Sequence, residues 1–248
     1  MISDISIVIP VYNEQNNIVR LIKEVQIALE KKINYEIIIV DDGSCDNTFE
    51  ELNKIKYIKK NINIISHKKN YGQSIGLQTG IIGANSEYIV TLDGDGQNDP
   101  SDILKLIKFF DTTVRFMMVI GNRVNRIDSL SKKVASRLAF KIRKLILKDT
   151  TPDTGCAIKL FRKRDFLQLP FFNHVHRFLP FLFNTFGGKI ISVPVNHRSR
   201  NSGTSKYSNF QRFLVGITDL FGVIWLRKRS VWPILKKTDK QLKSKEKK

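Results

Sequence analysis

The chain has 248 residues, with 42% hydrophobic and 26% charged residues. This is the composition of an ordinary globular protein, long enough for one α/β domain and a short appendage. Lys and Arg total 42 against 23 Asp and Glu, a formal charge of +19. Such a surface attracts nucleic acid, phosphorylated substrates or an anionic bilayer, unless the lysines form a merely solvated face. Two distant cysteines, Cys45 and Cys156, favour neither a zinc site nor a disulfide framework.

Strand-like and helix-like segments alternate in the first half of the chain. Two helical patterns, one with apolar residues from Ile18 to Leu29 and one from Ile75 to Ile81, lie among four predicted strands: Ile5–Pro10, Tyr35–Asp42, Ile62–His67 and Tyr88–Asp93. Strands this apolar need cover on both faces. The pattern therefore predicts a mostly parallel sheet flanked by helices.

Basic and aromatic segments dominate the second half. Ser129–Lys148 carries an apolar stripe beside a basic stripe that includes Arg137, which is typical of either an interfacial helix or a surface helix packed on the sheet. An aromatic segment at Phe166–Phe186 and a strand at Ile190–Val195 follow. The run Phe213–Leu226 contains Asp219 and is shorter than the roughly 18 apolar residues of a membrane span.

Two regions are expected from this pattern. Residues 1–226 form the folded domain, with amphipathic helices near 129–148 and 210–226. Residues 227–248 hold ten basic residues and two acidic ones, which predicts a disordered basic tail.

A metal motif is the strongest chemical feature. Asp93-Gly94-Asp95-Gly96-Gln97 follows an apolar strand. Carboxylates on alternate residues, separated by glycines, favour a hard cation such as Mg²⁺ or Mn²⁺. A simple turn is the alternative, and the position at a strand end favours the metal site.

Two further polar loops are expected at the same edge of the sheet, because ligands bind beyond the carboxyl ends of parallel strands. Asp41 and Asp42 follow the second strand; adjacent carboxylates need donors, which a nucleoside or the next helix N-terminus could supply. After the first strand, Tyr12 could stack on a base and Glu14 could anchor the nucleoside.

Five motifs follow one another along the chain: IPVYNE, VDDGSCDNT, LDGDGQNDP, GNR at Gly121–Arg123 and DTGCAIKLF at Asp153–Phe161. In this order they resemble family-2 inverting glycosyltransferases with the GT-A fold, and among them the polyprenol-phosphate sugar synthases of the dolichol-phosphate mannose type. The Gln-x-x-Arg-Trp motif of processive synthases is absent. The first strand is also not followed by GxGxxG, which argues against a dinucleotide-dependent oxidoreductase.

The resemblance implies a role for each matching residue. The nucleotide would be held by Pro10, Tyr12, Glu14, Asp41 and Asp93, and the metal by Asp93, Asp95 and Gln97. Asp95, Arg123 and Lys206 would serve catalysis, with Lys206 on a flexible loop that closes over the diphosphate. Asp153, Arg137 and Arg177 would lie on the acceptor side.

The expected reaction is inverting transfer of a hexose-type sugar from GDP-mannose, UDP-glucose or a UDP-uronic acid or amino sugar to a polyprenyl phosphate. This would place the protein peripherally on the cytoplasmic face of an anionic membrane, supplying sugars for cell-envelope glycans. A soluble transferase acting on a glycan or protein hydroxyl is the alternative. Nucleic acid is not an expected partner, because the acidic metal loop would repel phosphates without a cation.

The sequence alone indicates no chemical role for the four histidines. His174 and His176 form an H-x-H pair with no third metal ligand nearby in the sequence. His67 and His197 receive no role.

Overall fold

The first half of the protein alternates strands and helices as predicted. The computed structural model describes residues 2–56, 61–124, 140–141, 143–199 and 209–229. Its first elements are β1 (Asp4–Val11), α1 (Ile18–Leu29), β2 (Asn34–Asp41), α2 (Thr48–Lys56), β3 (Ile62–Ser66), α3 (Gln73–Ile82) and β4 (Tyr88–Thr91).

The second half adds three strands and shorter helices. A 3₁₀ turn at Pro100–Asp102 leads into α4 (Ile103–Lys108), β5 (Met117–Arg123), β6 (Lys159–Arg162), α5 (Lys163–Leu167), a 3₁₀ turn at Val175–Arg177, α6 (Leu179–Thr185), β7 (Lys189–Val195) and α7 (Asn209–Arg229). Of the helix predicted at 129–148, residues 140–141 and 143–147 are described and helical.

The seven strands form one sheet in the order β3-β2-β1-β4-β6-β5-β7. All neighbours pair in parallel except β6, which runs antiparallel to both β4 and β5. The α/β fold with a mostly parallel sheet is therefore confirmed. Strands β5 and β6 were not predicted; β6 has only four residues and a charged residue at each end, Lys159 and Arg162, both buried.

The core forms where α1 packs on the sheet. Its predicted apolar stripe is buried together with the isoleucines of β1 and β2. Burying one such side chain contributes about 1.5–3 kcal/mol, so this layer fixes the register of the sheet.

Close packing also positions α3. A Cβ atom on Gly80 would lie 2.5 Å from Val8 Cγ1, and one on Gly76 would lie 3.0 Å from Pro10 Cβ. A side chain at Gly80 would require β1 to shift, and one at Gly76 would press tightly on Pro10, so glycine suits this close approach to β1. The N-terminus of α3, with Gln73 and Ser74, is thereby held at the edge where β1 ends.

The chain divides into two compact units, Met1–Ser208 and Asn209–Lys248. The second contains α7, on which the residues Phe221 and Trp225 are 68% and 62% exposed. Within the described residues, no helix is both long and apolar enough to cross a membrane. The predicted boundary at residue 226 remains a prediction, and most of the predicted basic tail lies outside the described residues.

Candidate active site

The polar loops meet at one edge of the sheet. Strand β1 ends at Val11, β2 at Asp41 and β5 at Arg123, while β4 leads directly to Leu92 and Asp93. Because β6 runs the opposite way, its first residue, Lys159, lies at this same edge, paired with Thr91 of β4. The fold thus gathers residues from five segments that are far apart in the sequence.

The loop after β1 is locked to the loop after β2. Asn13 has a left-handed backbone, with φ of 54°, and its backbone N–H donates to Ser44 Oγ at 2.9 Å. In return, the backbone N–H of Cys45 donates to Asn13 Oδ1 at 2.8 Å. The backbone N–H of Glu14 donates to Thr48 Oγ1 at 2.8 Å, which brings Tyr12 and Glu14 to the end of β2.

The adjacent carboxylates of Asp41 and Asp42 have different partners. Asp42 is buried and accepts backbone N–H bonds from Tyr71 at 3.0 Å and from Gly72 at 2.7 Å. Its Oδ1 also lies 2.7 Å from Nδ1 of His67, whose Nε2 lies 3.0 Å from Thr79 Oγ1. Protein groups therefore satisfy Asp42, and His67 has a structural role that the sequence did not reveal.

The Asp41 carboxylate has weaker hydrogen bonds to protein groups than the Asp42 carboxylate. It accepts the backbone N–H of Ser44 at 3.2 Å and the hydroxyl of Ser66 at 3.4 Å. Both bonds are long compared with those to Asp42. Of the two carboxylates, Asp41 is thus better placed to accept a further donor from a nucleoside.

The metal motif is shaped by close contact with β1. A Cβ atom on Gly94 would lie 2.6 Å from Val11 Cγ1, so the DGDG turn can approach the strand only with glycine there. Gln73 Nε2, at the start of α3, donates to Asp93 Oδ1 at 2.7 Å. Asp95 Oδ1 accepts the backbone N–H of Gln97 at 3.1 Å, and Gln97 Nε2 donates to the Arg198 carbonyl at 3.3 Å.

These donors fit a hard divalent cation. Asp93, Asp95 and Gln97 supply two carboxylates and an amide oxygen. The described residues hold no group of three or more His, Cys, Asp or Glu side chains that could bind a metal by themselves. Mg²⁺ commonly binds through one or two carboxylates and completes its shell with water and substrate phosphates. The residues present therefore suit Mg²⁺ or Mn²⁺ bound together with a nucleotide diphosphate.

Arg123 and Asp153, which the sequence assigned separately to the site, form one ion pair. Arg123 Nε lies 2.6 Å from Asp153 Oδ2, and Nη2 lies 2.8 Å from Oδ1. Burial alone would lower the pKa of Arg123, but the hydrogen bonds and charge of Asp153 outweigh it and raise this pKa above its ordinary value. The guanidinium also interacts electrostatically with Asp93, which ties the pair to the metal motif.

Lys159 is a buried basic residue in the same region. Its side-chain amino group donates to the Cys156 carbonyl, and burial lowers its pKa although the charges of Asp93 and Asp153 oppose the shift. Burial likewise raises the pKa of the Cys156 thiol to about 11, so Cys156 is a neutral packing residue at pH 7. The site therefore places two basic side chains, Arg123 and Lys159, beside its carboxylates.

His176 of the H-x-H pair contacts the start of α3. The rings of His174 and His176 lie edge to face with centroids 6.5 Å apart, and His176 Nδ1 lies 2.7 Å from Ser74 Oγ. Burial, and after it the charges of Lys159 and Arg177, lower the pKa of His176 well below its ordinary value. A neutral His176 thus joins the 3₁₀ turn that carries Arg177 to the N-terminus of α3.

A sequence model for glycosyl transferase family 2 matches residues 6–169, which covers the nucleotide loops, the metal motif, Arg123 and Lys159. The chain belongs to glycosyl transferase family 2. The expected family and its nucleotide-sugar chemistry are confirmed at this level.

Solved structures support the fold of this glycosyltransferase. Glucosyl-3-phosphoglycerate synthase from Mycobacterium tuberculosis, in complex with Mg²⁺ and UDP, superposes with a TM-score of 0.65 at 17% identity over 91% of this chain and 79% of that chain. The same enzyme with Mn²⁺, UDP-glucose and glycerol 3-phosphate gives a TM-score of 0.62 at 16% identity, over 91% and 80% of the chains.

The structure of this glycosyltransferase brings together most of the predicted site residues. Lys206 and Arg137 lie outside the described residues. Sequence reasoning missed Gln73, Lys159 and Arg198. A lysine inside the apolar run Cys156–Phe161 was a signal for Lys159, whereas Gln73 and Arg198 are identified only by their tertiary contacts.

Proposed function

We propose that this glycosyltransferase moves a sugar, with inversion, from a nucleotide-sugar to a polyprenyl phosphate at the cytoplasmic face of a membrane. The five ordered motifs that resemble polyprenol-phosphate sugar synthases support the acceptor class. The exposed Phe221 and Trp225 on α7 are the structural observation that carries the membrane part of the proposal.

The donor side of the proposal rests on the sheet edge. Tyr12, Glu14 and Asp41 would hold the nucleoside, and Asp93, Asp95 and Gln97 would hold Mg²⁺ or Mn²⁺. The solved relatives contain these ions with UDP or UDP-glucose, which supports the same donor class here. When bound, the cation supplies Lewis-acid stabilisation of the leaving diphosphate.

The chain's own cations would supply the remaining stabilisation. Cleavage of the sugar–phosphate bond places negative charge on the leaving diphosphate, and preorganised positive groups lower the energy of that charge. Arg123, fixed by Asp153, would face the acceptor phosphate or the sugar. Lys206 would act on the diphosphate from its loop.

A phosphate acceptor reduces the need for a general base. A phosphate monoester has a second pKa of about 6 and is largely dianionic at pH 7, so its oxygen is already a nucleophile. The acceptor then needs cations to orient it more than a carboxylate to deprotonate it. The reaction would be a single displacement without a covalent intermediate.

α7 provides a means of reaching a lipid acceptor. Phe221 and Trp225 are four residues apart and so share one helix face, and the helix ends in Arg227, Lys228 and Arg229. Exposed aromatic residues next to a basic cluster are typical of helices that lie in a membrane interface. Each basic residue near an anionic leaflet contributes about 1 kcal/mol to binding.

A soluble phosphorylated acceptor is the second candidate. The solved relatives hold phosphoglyceric acid or glycerol 3-phosphate together with the nucleotide. A site with Arg123 and Lys159 beside a metal motif suits such an acceptor too, since both candidates present a phosphate. They differ in which oxygen attacks the sugar: a phosphate oxygen in the lipid, a hydroxyl oxygen in the soluble compound.

Direct assay separates the two candidates. Purified protein with Mn²⁺ and a panel of nucleotide-sugars is given either undecaprenyl phosphate in anionic liposomes or soluble 3-phosphoglycerate, and products are identified by mass. We expect a glycosylated lipid. Product from 3-phosphoglycerate alone would contradict the lipid proposal and establish the soluble one.

Liposome sedimentation tests the membrane contact separately. Phe221→Ser with Trp225→Ser should reduce binding to anionic vesicles at least tenfold while transfer to detergent-dispersed lipid persists. Phe109→Ser is the matched control, because Phe109 is 53% exposed and lies at the end of α4. Equal sedimentation of the double variant and the control would contradict a role for α7.

A further inference from the structure

His197 and Arg198 pair with the end of the metal motif and with the residue that follows it. The backbone N–H of Arg198 donates to the Gln97 carbonyl at 2.9 Å, and Gln97 Nε2 donates to the Arg198 carbonyl at 3.3 Å. The neighbours Asn98 and His197 form an antiparallel bridge. Arg198 therefore contacts both the main chain and the side-chain amide of Gln97.

The side chain of Arg198 holds this segment in place. Nη1 lies 2.6 Å from Glu24 Oε2 on α1, and Nη2 lies 3.1 Å from Asp99 Oδ2, just after the metal motif. Burial opposes a charge here, but the bonds to Asp99 and Glu24 outweigh it and raise the pKa of Arg198. The arginine thus links the core helix α1 to Asp99, which follows the metal motif.

The consequence concerns the orientation of the Gln97 amide. An amide group carries its donor and its acceptor on opposite branches. When Nε2 is bonded to the Arg198 carbonyl, Oε1 is directed away from that carbonyl. The oxygen then stays available as a ligand for a cation. Reversing the amide would place two oxygen atoms against each other and present an N–H group instead.

We propose that Arg198 is a positioning residue that fixes the Gln97 amide with its oxygen available to the divalent cation. This inference rests on the proposed metal site and is independent of the sugar acceptor. Groups that hold a metal ligand in place typically change metal affinity by about 10–100-fold when they are removed.

Mn²⁺ binding tests the inference without any substrate. The free Mn²⁺ signal in electron paramagnetic resonance is followed while wild type, Arg198→Ala and Arg198→Lys are titrated with MnCl₂. We expect a Kd about tenfold higher for Arg198→Ala and partial recovery for Arg198→Lys. Thermal unfolding of each variant monitors the fold, and Glu24→Gln offers a second route that leaves Arg198 itself intact.

Arg20→Ala is the matched control. Arg20 also pairs with Glu24, at 2.8 Å, but its side chain is 62% exposed and lies one helical turn before Glu24 on α1. Its Mn²⁺ affinity should equal that of wild type. An equal loss in Arg20→Ala and Arg198→Ala would overturn the inference, since it would indicate a general effect of α1.

A double-mutant cycle separates positioning from general stability. In a Gln97→Ala background, Arg198→Ala should cause no further loss of Mn²⁺ affinity, because the group that it orients is already gone. Additive losses would overturn the inference. Unchanged Mn²⁺ affinity in Arg198→Ala would overturn only the positioning role of Arg198. A wild-type protein that binds no Mn²⁺ would overturn the proposed metal site as well.

Discussion

Arg123, the last residue of β5, is held by Asp153 through two hydrogen bonds of 2.6 and 2.8 Å. The two side chains are 14% and 12% exposed, so the pair lies largely out of water. Two parallel bonds fix the plane of the guanidinium as well as its position. Asp153 thus determines which edge of Arg123 is presented to a ligand.

Asp153→Asn should damage both stability and transfer. Removing one partner of a largely buried pair leaves the other charge uncompensated, which costs about 3 kcal/mol. We also expect transfer to fall by about 100-fold, because a guanidinium that moves by 1 Å orients a phosphate poorly. Urea unfolding and steady-state transfer assays measure the two effects. An Asn variant with wild-type kinetics would show that the orientation of Arg123 is unimportant.

Asp95→Ala should abolish transfer without unfolding the protein. Asp95 lies in a loop at the sheet edge and contributes no core volume, so the melting temperature should change little. EDTA should reproduce the loss in wild type, and added Mn²⁺ or Mg²⁺ should reverse the effect of EDTA but not of the mutation. Full activity in EDTA would contradict the metal assignment.

Lys206→Ala should lower kcat more than it weakens nucleotide binding. Its charge is expected to matter most as the diphosphate leaves, and losing one such group typically costs about 100-fold in kcat. Lys54→Ala is a suitable control, because Lys54 is an exposed lysine that pairs with Glu51 on α2. A raised KM with unchanged kcat would make Lys206 a simple binding contact.

The low pKa of His176 predicts a loss of stability in mild acid. Below the ordinary pKa of 6.5, His176 is protonated in the unfolded chain but stays neutral in the folded protein. The contribution of His176 to stability should therefore be constant above pH 6.5 and fall below it, by up to about 1.4 kcal/mol per pH unit, until the lowered folded-state pKa is reached. Urea unfolding between pH 5.5 and 7.5 measures this slope.

His176→Gln isolates the contribution of that histidine. The variant should lose the part of the slope that wild type shows below pH 6.5, while Lys159, Arg177 and His174, whose charges act on the ring, stay in place. Identical pH profiles for the two proteins would assign the slope to other groups.

Local patterns in the sequence predicted the parallel half of the fold well. The apolar stripe of α1 and the isoleucine runs of β1 and β2 predict a helix packed on a sheet, because these residues must be buried. The structure buries them in one core. The acidic loops were predicted correctly at one edge for the same reason, because parallel strands end together.

Strand β6 and the polar contacts between distant residues were harder to predict from the sequence. β6 is short and begins and ends with charged residues, so periodicity gives no signal for it. The contacts of Arg198 with Glu24, and of His176 with Ser74, join residues more than 100 positions apart. Such pairs depend on tertiary packing, which one sequence read locally does not encode.

The antiparallel strand β6 has a consequence for synthesis on the ribosome. It lies between β4 and β5, which precede it in the chain by many residues. A nascent chain that has produced only the nucleotide loops and the metal motif therefore has an open gap beside β4, with Thr91 and Ile89 lacking the partners Lys159 and Phe161. Asp153 and Lys159 stand just before and at the start of β6, whereas Arg123 ends β5, so this part of the sheet edge can form only after the chain has been synthesised as far as β6.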